Sequence, residues 1–329
     1  MPATVRDSDV LELAGMLLES PRQPGVRYRL DAVIGEGAHG IVYGATRLHD
    51  ADAVRVVVKI LRPRAVKELA GLAGMAVEKE VAALMRLSQR DLPTPYVVRF
   101  LDSGALRLGS APLELPWIAV EYVEGGADGV TLSARVDGSV LGSGYAFDPV
   151  RAHNAVHCMT AGLRSIHEVG VVHRDLTPNN VLASGPVPSE LYKISDFGLA
   201  RVSETSTFGD ILLGTPGYSA PEQCFPEDVP VGPYTDVFSL ACSVYLLLTG
   251  EHYFDVLTVP ETFVAARSSA RRRILDARCV APALAEQALL CDELDRVLAR
   301  ATRANPLERP AGAEELAAEL LPLLAQATR

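Results

Sequence analysis

The hydrophobic period changes part-way along the chain. From Tyr28 to Ile34 apolar and polar residues alternate imperfectly. The glycine-rich stretch Gly35 to Gly40 follows, then apolar runs over Ile41 to Thr46 and Val54 to Leu61. This spacing predicts three consecutive antiparallel strands. Val77, Val81, Leu84 and Leu87 fall on one face of a helix. Two more strands are predicted over Tyr96 to Leu101 and Trp117 to Tyr122, and Gly125-Gly126 breaks the pattern. Beyond it the period becomes helical, over Pro149 to Val169, Tyr234 to Thr249, Ala285 to Arg303 and Ala313 to Ala325, with Gly170 and Gly250 at C-terminal positions. Segments 102–116 and 125–147 are Gly/Ser-rich and read as surface insertions. A short helix, Asp9 to Leu18, and a Pro-rich linker, Pro21 to Pro24, precede the first strand; no chemistry is assigned to them. Five strands with one helix, followed mostly by helices, predict an α+β, bilobal fold: a small five-stranded antiparallel lobe on a larger helical lobe, with a cleft between.

Composition narrows the function classes. The chain has 329 residues and a net charge of −10, with 22% charged and 48% hydrophobic residues. That is globular composition, and it argues against a nucleic-acid-binding or basic membrane-surface protein. The longest apolar stretch, Leu240 to Leu248, is too short to span a bilayer, and the first twenty residues lack a secretory signal. Five cysteines at wide spacing, with no CxxC pair, read as reduced thiols and a cytoplasmic location. His153 and His157 have metal-ligand spacing on a helix, but Asn154 stands where a zinc-protease motif needs glutamate, so they read as an ordinary helix pair.

Four segments carry chemistry. Gly35-Glu36-Gly37-Ala38-His39-Gly40 offers backbone amides to phosphates. It leads into a strand rather than a helix, which sets it apart from a dinucleotide-binding turn. Lys59 is one of only four lysines and lies in the apolar run Val57-Val58-Lys59-Ile60-Leu61, where an unpaired cation is costly. Glu80 is the favoured partner over Glu78, because Leu84 and Leu87 then follow at plus four and plus seven. In His173-Arg174-Asp175-Leu176-Thr177-Pro178-Asn179-Asn180, Asp175 can accept a proton from a hydroxyl and Asn180 can give a metal its amide oxygen. Asp196, in Asp196-Phe197-Gly198, offers a charged oxygen sixteen residues later.

In this order the four segments resemble the eukaryotic-type (Hanks-type) Ser/Thr protein kinase family, over roughly Val26 to Leu321. Three later segments fit it: Gly214-Thr215-Pro216-Gly217-Tyr218-Ser219-Ala220-Pro221-Glu222, Asp236-Val237-Phe238-Ser239-Leu240, and Asn305-Pro306-Leu307-Glu308-Arg309-Pro310. The resemblance implies an extension over 1–26, a kinase domain over 27–321 (lobes of about 27–123 and 124–321) and a tail over 322–329. It implies ATP and Mg²⁺ as cofactors, with Mn²⁺ as the alternative metal, and proteins bearing Ser or Thr as substrates, this chain included. Ile34, Gly35, Gly37, Gly40 and Val42 would cover the nucleotide. Lys59, held by Glu80, would bind phosphates, and backbone at Glu121 and Val123 would read the adenine, with Val120 as gatekeeper. Asp175 would serve as base, and Asn180 and Asp196 would hold the metal. Regulation would involve Arg174, Thr205, Ser206, Thr207 and Thr215, and a regulatory partner or dimer. Glu222, Asp236 and Arg309 would be structural, the last pairing with Glu222.

The sequence departs from the family at three places. Thr177 replaces a common lysine, Val57 a common alanine, and His39 stands at the loop tip. Thr177 motivates the alternative of a weak pseudokinase or nucleotide-binding scaffold. A small-molecule kinase shares the Asp-x-x-x-x-Asn core but lacks the Gly-Thr-Pro to Ala-Pro-Glu run. The Ala/Arg-rich, Lys-poor usage hints at a bacterial source.

Overall fold

A computed structural model describes residues 6–37, 40–68, 81–82, 85–88, 94–108, 113–196, 214–223, 229–268 and 270–327. The chain divides into two compact units. The first comprises residues 1–93, 98–122 and 198–207, and the second comprises 94–97, 123–197 and 208–329.

The first unit is built on an antiparallel sheet, β1 (Leu17–Glu19), β2 (Arg27–Glu36), β3 (Gly40–His49), β4 (Asp52–Leu61), β5 (Phe100–Arg107) and β6 (Glu114–Glu121), in the order β1-β2-β3-β4-β6-β5. Among the described residues this is one strand more than the five expected. The addition comes from the segment read as an extension, whose single expected helix is instead a helix at Asp7–Leu11 followed by β1. The reason is burial. Val10, Leu13 and Leu18 join Tyr28, Leu30, Ile41, Tyr43, Val56, Val58, Ile60 and Trp117 in one core on one face of the sheet. The Tyr43 hydroxyl donates to the Val10 carbonyl at 2.6 Å and accepts from the Leu13 N–H at 3.2 Å.

The strand expected at Tyr96 to Leu101 lies further on, and β5 runs into the presumed insertion. Asp102 breaks the apolar pattern because it is buried, accepting from the Tyr28 hydroxyl at 3.2 Å. Gly104 leaves room for the Trp117 ring; a Cβ there would lie 2.6 Å from it. Tyr96 belongs to the second unit, where its carbonyl accepts from the Ile194 N–H.

The second unit is mainly helical, around the buried helix Pro233–Thr249, which Gly250 closes in the left-handed conformation. The helix Pro149–Glu168 begins at the Asp148 cap. The presumed insertion 125–147 holds a helix, Leu132–Ser143, capped by Thr131 and anchored by buried Leu132, Arg135 and Val136. A hairpin of β7 (Val181–Ser184) and β8 (Leu191–Ile194) completes the unit. Cys158, Cys242 and Cys291 are buried and Cys279 is half-buried, all as free thiols. Among the described residues no helix is long and apolar enough to cross a membrane.

If Tyr43 ties the N-terminal segment to the sheet, Tyr43→Phe leaves the Leu13 amide without its buried acceptor. The expected loss is about 1–3 kcal/mol, read as a lower urea midpoint with unchanged slope.

Candidate active site

In the first unit, register decides which residues share a face. Val42 pairs with Lys59, and Lys59 with Ile118. Gly44 pairs with Val57, and Val57 with Val120. Directly paired residues project to the same side, so Val42, Val57, Lys59 and Val120 lie together, opposite the face that carries the core. Gly40 lies against Lys59: a Cβ there would stand 3.2 Å from the lysine Cε and 3.1 Å from the Ile60 carbonyl oxygen. Added atoms at Gly35 and Gly37 would meet neighbours only at ordinary contact distances of 3.6 and 3.7 Å. Ile34 is exposed. Glu121 ends β6, with its N–H donating to the Arg99 carbonyl and its carboxylate accepting from the Arg99 N–H. Glu80, the expected partner of Lys59, and its competitor Glu78 lie outside the described residues.

The second unit gathers the remaining residues through the β7–β8 register. Val181 pairs with Ile194, so Asn180 and Ser195 face each other at the hairpin base. The Asn180 carbonyl accepts from the Ser195 N–H at 2.8 Å and from its hydroxyl at 3.0 Å. Sixteen residues of separation thereby become adjacency, and Asp196 is the next residue. The Asn180 amide nitrogen donates to the Asp175 carbonyl at 2.8 Å and to its carboxylate at 3.3 Å. This turns the amide so that its oxygen is the atom suited to a cation. The other Asp175 oxygen accepts from the Thr215 hydroxyl at 2.9 Å. Thr215, expected among the regulatory residues, therefore touches the expected base.

The loop is held from below. Asp236 is fully buried and accepts from the His173 N–H at 2.8 Å, the Arg174 N–H at 2.7 Å and His167 Nε2 at 2.8 Å. Burial alone would raise its pKa. The bond from His167, the charges of His167 and His173 and the His173 amide outweigh burial, so the carboxyl sits below the usual carboxylate range. Buried His173 accepts from the Asp175 N–H at 3.3 Å through Nδ1 and reaches the Ser195 carbonyl at 3.0 Å through Nε2. The tautomer protonated on Nε2 satisfies both. Arg174 and Asp196 adopt positive φ, +67° and +57°, at a cost on the order of 1–3 kcal/mol each. Arg174 is pinned on both sides, by Asp236 at its N–H and by Gln223 Nε2 at its carbonyl, 2.8 Å away.

Glu222 and Arg309 form a buried two-point pair at 2.8 and 2.9 Å. Thr235 also donates to Glu222, and the guanidinium donates to the carbonyls of Arg303, Ala304 and Tyr234. Phe197, Thr205, Ser206 and Thr207 lie outside the described residues. Val123 is buried in the second unit. Thr177 is buried, its N–H closing a turn onto the Asp175 carbonyl. His157 packs against Tyr96. Gln223, His167 and the Thr215 contact were not anticipated; a single sequence carries no signal for partners 40 to 69 positions apart.

Residues 28–321 match the family model described as protein kinase domain. The chain belongs to the protein kinase family. The domain is 29% identical over 306 residues to the serine/threonine-protein kinase pkn3 of Myxococcus xanthus, covering 89% of this chain and 49% of that protein. It is 30% identical over 314 residues to the serine/threonine-protein kinase PknB of Mycolicibacterium smegmatis, covering 92% of this chain and 44% of that one. The chain thus spans about half the length of these curated relatives. The solved PknI kinase domain of Mycobacterium tuberculosis has the same fold, with a TM-score of 0.62 at 22% identity, covering 94% of this chain and all of that one. The family uses ATP and a divalent metal and acts on proteins. Hard oxygen donors suit such a metal, and Asn180 and Asp196 carry side-chain oxygens of that kind; among the described residues no cluster of three or more His, Cys, Asp or Glu forms a protein-only cage.

Two outcomes are expected of this kinase domain. Removing the Glu222 carboxylate leaves a buried guanidinium unpaired, so Glu222→Ala should cost ~3–5 kcal/mol in chemical denaturation. Asp236 has a lowered folded pKa, so its contribution is complete above the ordinary value of 3.8 and is lost as pH falls through the lower folded value. The stability gap between wild type and Asp236→Asn should be flat from neutral pH down to about pH 5 and shrink below about pH 4, measured by urea midpoints across that range.

Proposed function

We propose that this chain is an ATP-dependent serine/threonine protein kinase that transfers the γ-phosphate to hydroxyls of proteins, itself included. The observation that carries this reading is the Asp175 carboxylate held between Asn180 and Thr215, with the same Asn180 tied to the residue before Asp196. The Ser/Thr assignment is supported by Gly214-Thr215-Pro216 and by the named activities of the bacterial relatives.

Asp175 orients the substrate hydroxyl and accepts its proton. Its bonds to Asn180 and Thr215 fix where the carboxylate points, which is the positioning on which this chemistry rests. In preference to Mn²⁺, Asn180 and Asp196 would hold Mg²⁺, which when bound would supply charge neutralisation for the phosphates. Lys59 pairs with the α/β-phosphates and Glu80 orients Lys59. The backbone of Gly35, Gly37 and Gly40 with Ile34 and Val42 encloses the nucleotide, and backbone at Glu121 and Val123 reads the base. Thr177 supplies no cation, so this kinase relies on the metal and Lys59 for phosphate charge.

The proposed domain runs over 27–321, with 1–26 as an extension and 322–329 as a tail. Its location is cytoplasmic, in keeping with free thiols. Regulation runs through phosphorylation at Thr205, Ser206 or Thr207 and pairing of that phosphate with Arg174, with a regulatory partner or a second copy as the upstream input.

The test is radiolabelled transfer from Mg-ATP to the chain itself and to a generic protein substrate, followed by site mapping. Asp175→Ala should abolish labelling, and Lys59→Met should reduce it by roughly 10²–10⁴-fold, both with near-native melting. Tight Mg-ATP binding with no transfer by wild type would instead establish a nucleotide-binding scaffold.

A further inference from the structure

The segment that precedes the kinase sheet reaches the glycine-rich loop through one arginine. Arg62 directly follows β4 and is only 8% exposed. A guanidinium at such a position is costly unless its donors are used, and here they face the loop. Its Nε donates to the Gly37 carbonyl at 3.0 Å, and one terminal nitrogen donates to the Glu36 carboxylate at 2.9 Å. The other terminal nitrogen lies 3.7 Å from the Asp7 carboxylate, in the N-terminal helix. Asp7 is itself fixed, accepting from the Arg64 N–H at 3.3 Å and pairing with the Arg64 side chain at 3.2 Å.

The loop's own hydrogen bonds define what Arg62 adds. The Gly37 N–H donates to the Gly40 carbonyl at 2.9 Å, and Gly40 pairs with Leu61, the residue before Arg62. The base of the loop is therefore set by the strands. The Gly37 carbonyl is not, because among the described residues no strand pair engages it. The planar guanidinium engages it, and the same fork holds the Glu36 side chain, so two consecutive residues of the loop are tied to one rigid group.

We propose that Arg62 is a positioning residue for the nucleotide's phosphates, acting through the Glu36-Gly37 backbone, and that Asp7 holds Arg62 in place. The N-terminal segment thereby sets nucleotide affinity from outside the phosphate-binding residues. This deepens the reading of the chain as an ATP-dependent kinase and rests on it.

The experiment uses the full chain with Arg62→Ala, Arg62→Lys, Asp7→Ala and the Arg62→Ala/Asp7→Ala double variant. Three quantities are read: amide hydrogen exchange of the peptide spanning residues 33–42 without nucleotide, the Mg-ATP Kd by calorimetry, and KM with kcat. Arg62→Ala should speed exchange in that peptide alone and raise Kd and KM about tenfold, the scale of one charge-assisted hydrogen bond, with the larger part of the change in KM. Arg62→Lys should not rescue, since an ammonium lacks the fork. Asp7→Ala should raise Kd about threefold, as a partly exposed pair would, and add nothing in the Arg62→Ala background. Unchanged Kd and exchange in Arg62→Ala would overturn the inference. So would faster exchange throughout the sheet with a lowered melt, which marks a purely structural arginine. A wild-type chain that binds no Mg-ATP would remove the kinase reading itself, an outcome separable from the first two because it appears without any mutation.

Discussion

In this kinase domain the loop from His173 to Asn180 depends on one buried carboxylate. Asp236 accepts two consecutive backbone amides, from His173 and Arg174, and a histidine nitrogen from the preceding helix. A fully buried anion survives only when its lone pairs are met by donors, and here the donors are the loop itself. The dependence runs both ways. The carboxylate needs the loop folded to remain ionised, and the loop needs the carboxylate to keep Arg174 at a positive φ that a long side chain seldom adopts. The helix Pro233–Thr249 is apolar along nearly its whole length and packed on all sides, so Asp236 stands on a rigid platform. Rigidity passes from that helix to the loop through hydrogen bonds rather than through packing.

A second set of constraints orients Asp175 and Asn180. His173 joins the Asp175 amide to the Ser195 carbonyl, and Asn180 joins Asp175 to Ser195. The loop and the β7–β8 hairpin are thus cross-linked twice, once through an imidazole and once through an amide. Because the two links share Asp175 and Ser195, moving the loop relative to the hairpin would break several bonds together. Preorganisation of this kind is what the proposed phosphoryl transfer would need, since the protein would not have to reorganise during the reaction. The Glu222–Arg309 pair fixes the end of the Gly214–Glu222 segment in the same manner, and Gln223, the next residue, returns to the Arg174 carbonyl.

Much of this was legible in the sequence where a physical period or a fixed spacing existed. Strands β2 to β4 follow from alternation, and the central helix follows from a long apolar run ending at a glycine. Asp175, Asn180 and Asp196 stand at spacings that a turn and a hairpin convert into neighbours. Legibility failed where burial contradicted residue type. Asp102 and Arg135 are polar residues inside the protein, so the segments around them looked like surface insertions and are a strand and a helix. The N-terminal residues read as an extension without assigned chemistry because three short-spaced apolar side chains, Val10, Leu13 and Leu18, make sense only against the sheet they cover. In the site, the tie from His167 to Asp236 spans 69 positions. No local pattern encodes a contact of that range.

The glycine-rich loop shows how far a motif can be divided physically. Its three glycines look equivalent in sequence, yet their surroundings differ. Gly35 and Gly37 have room for a methyl group at ordinary contact distance, whereas Gly40 lies against the aliphatic stem of Lys59 and the Ile60 carbonyl. At Gly40 the missing side chain is a matter of tight packing, since a Cβ 3.1 Å from that carbonyl and 3.2 Å from the lysine Cε would make its neighbours give way. At Gly35 and Gly37 it is not, which leaves close approach of a ligand as the remaining reason for glycine there. The first unit therefore keeps space beside Lys59 with a glycine on the neighbouring strand, while the second unit aims the Asp175 carboxylate through hydrogen bonds. Sterics on one side and polar pairing on the other are different devices. The difference follows from what each must hold: a long flexible ammonium is confined by walls, whereas a short carboxylate is aimed by donors.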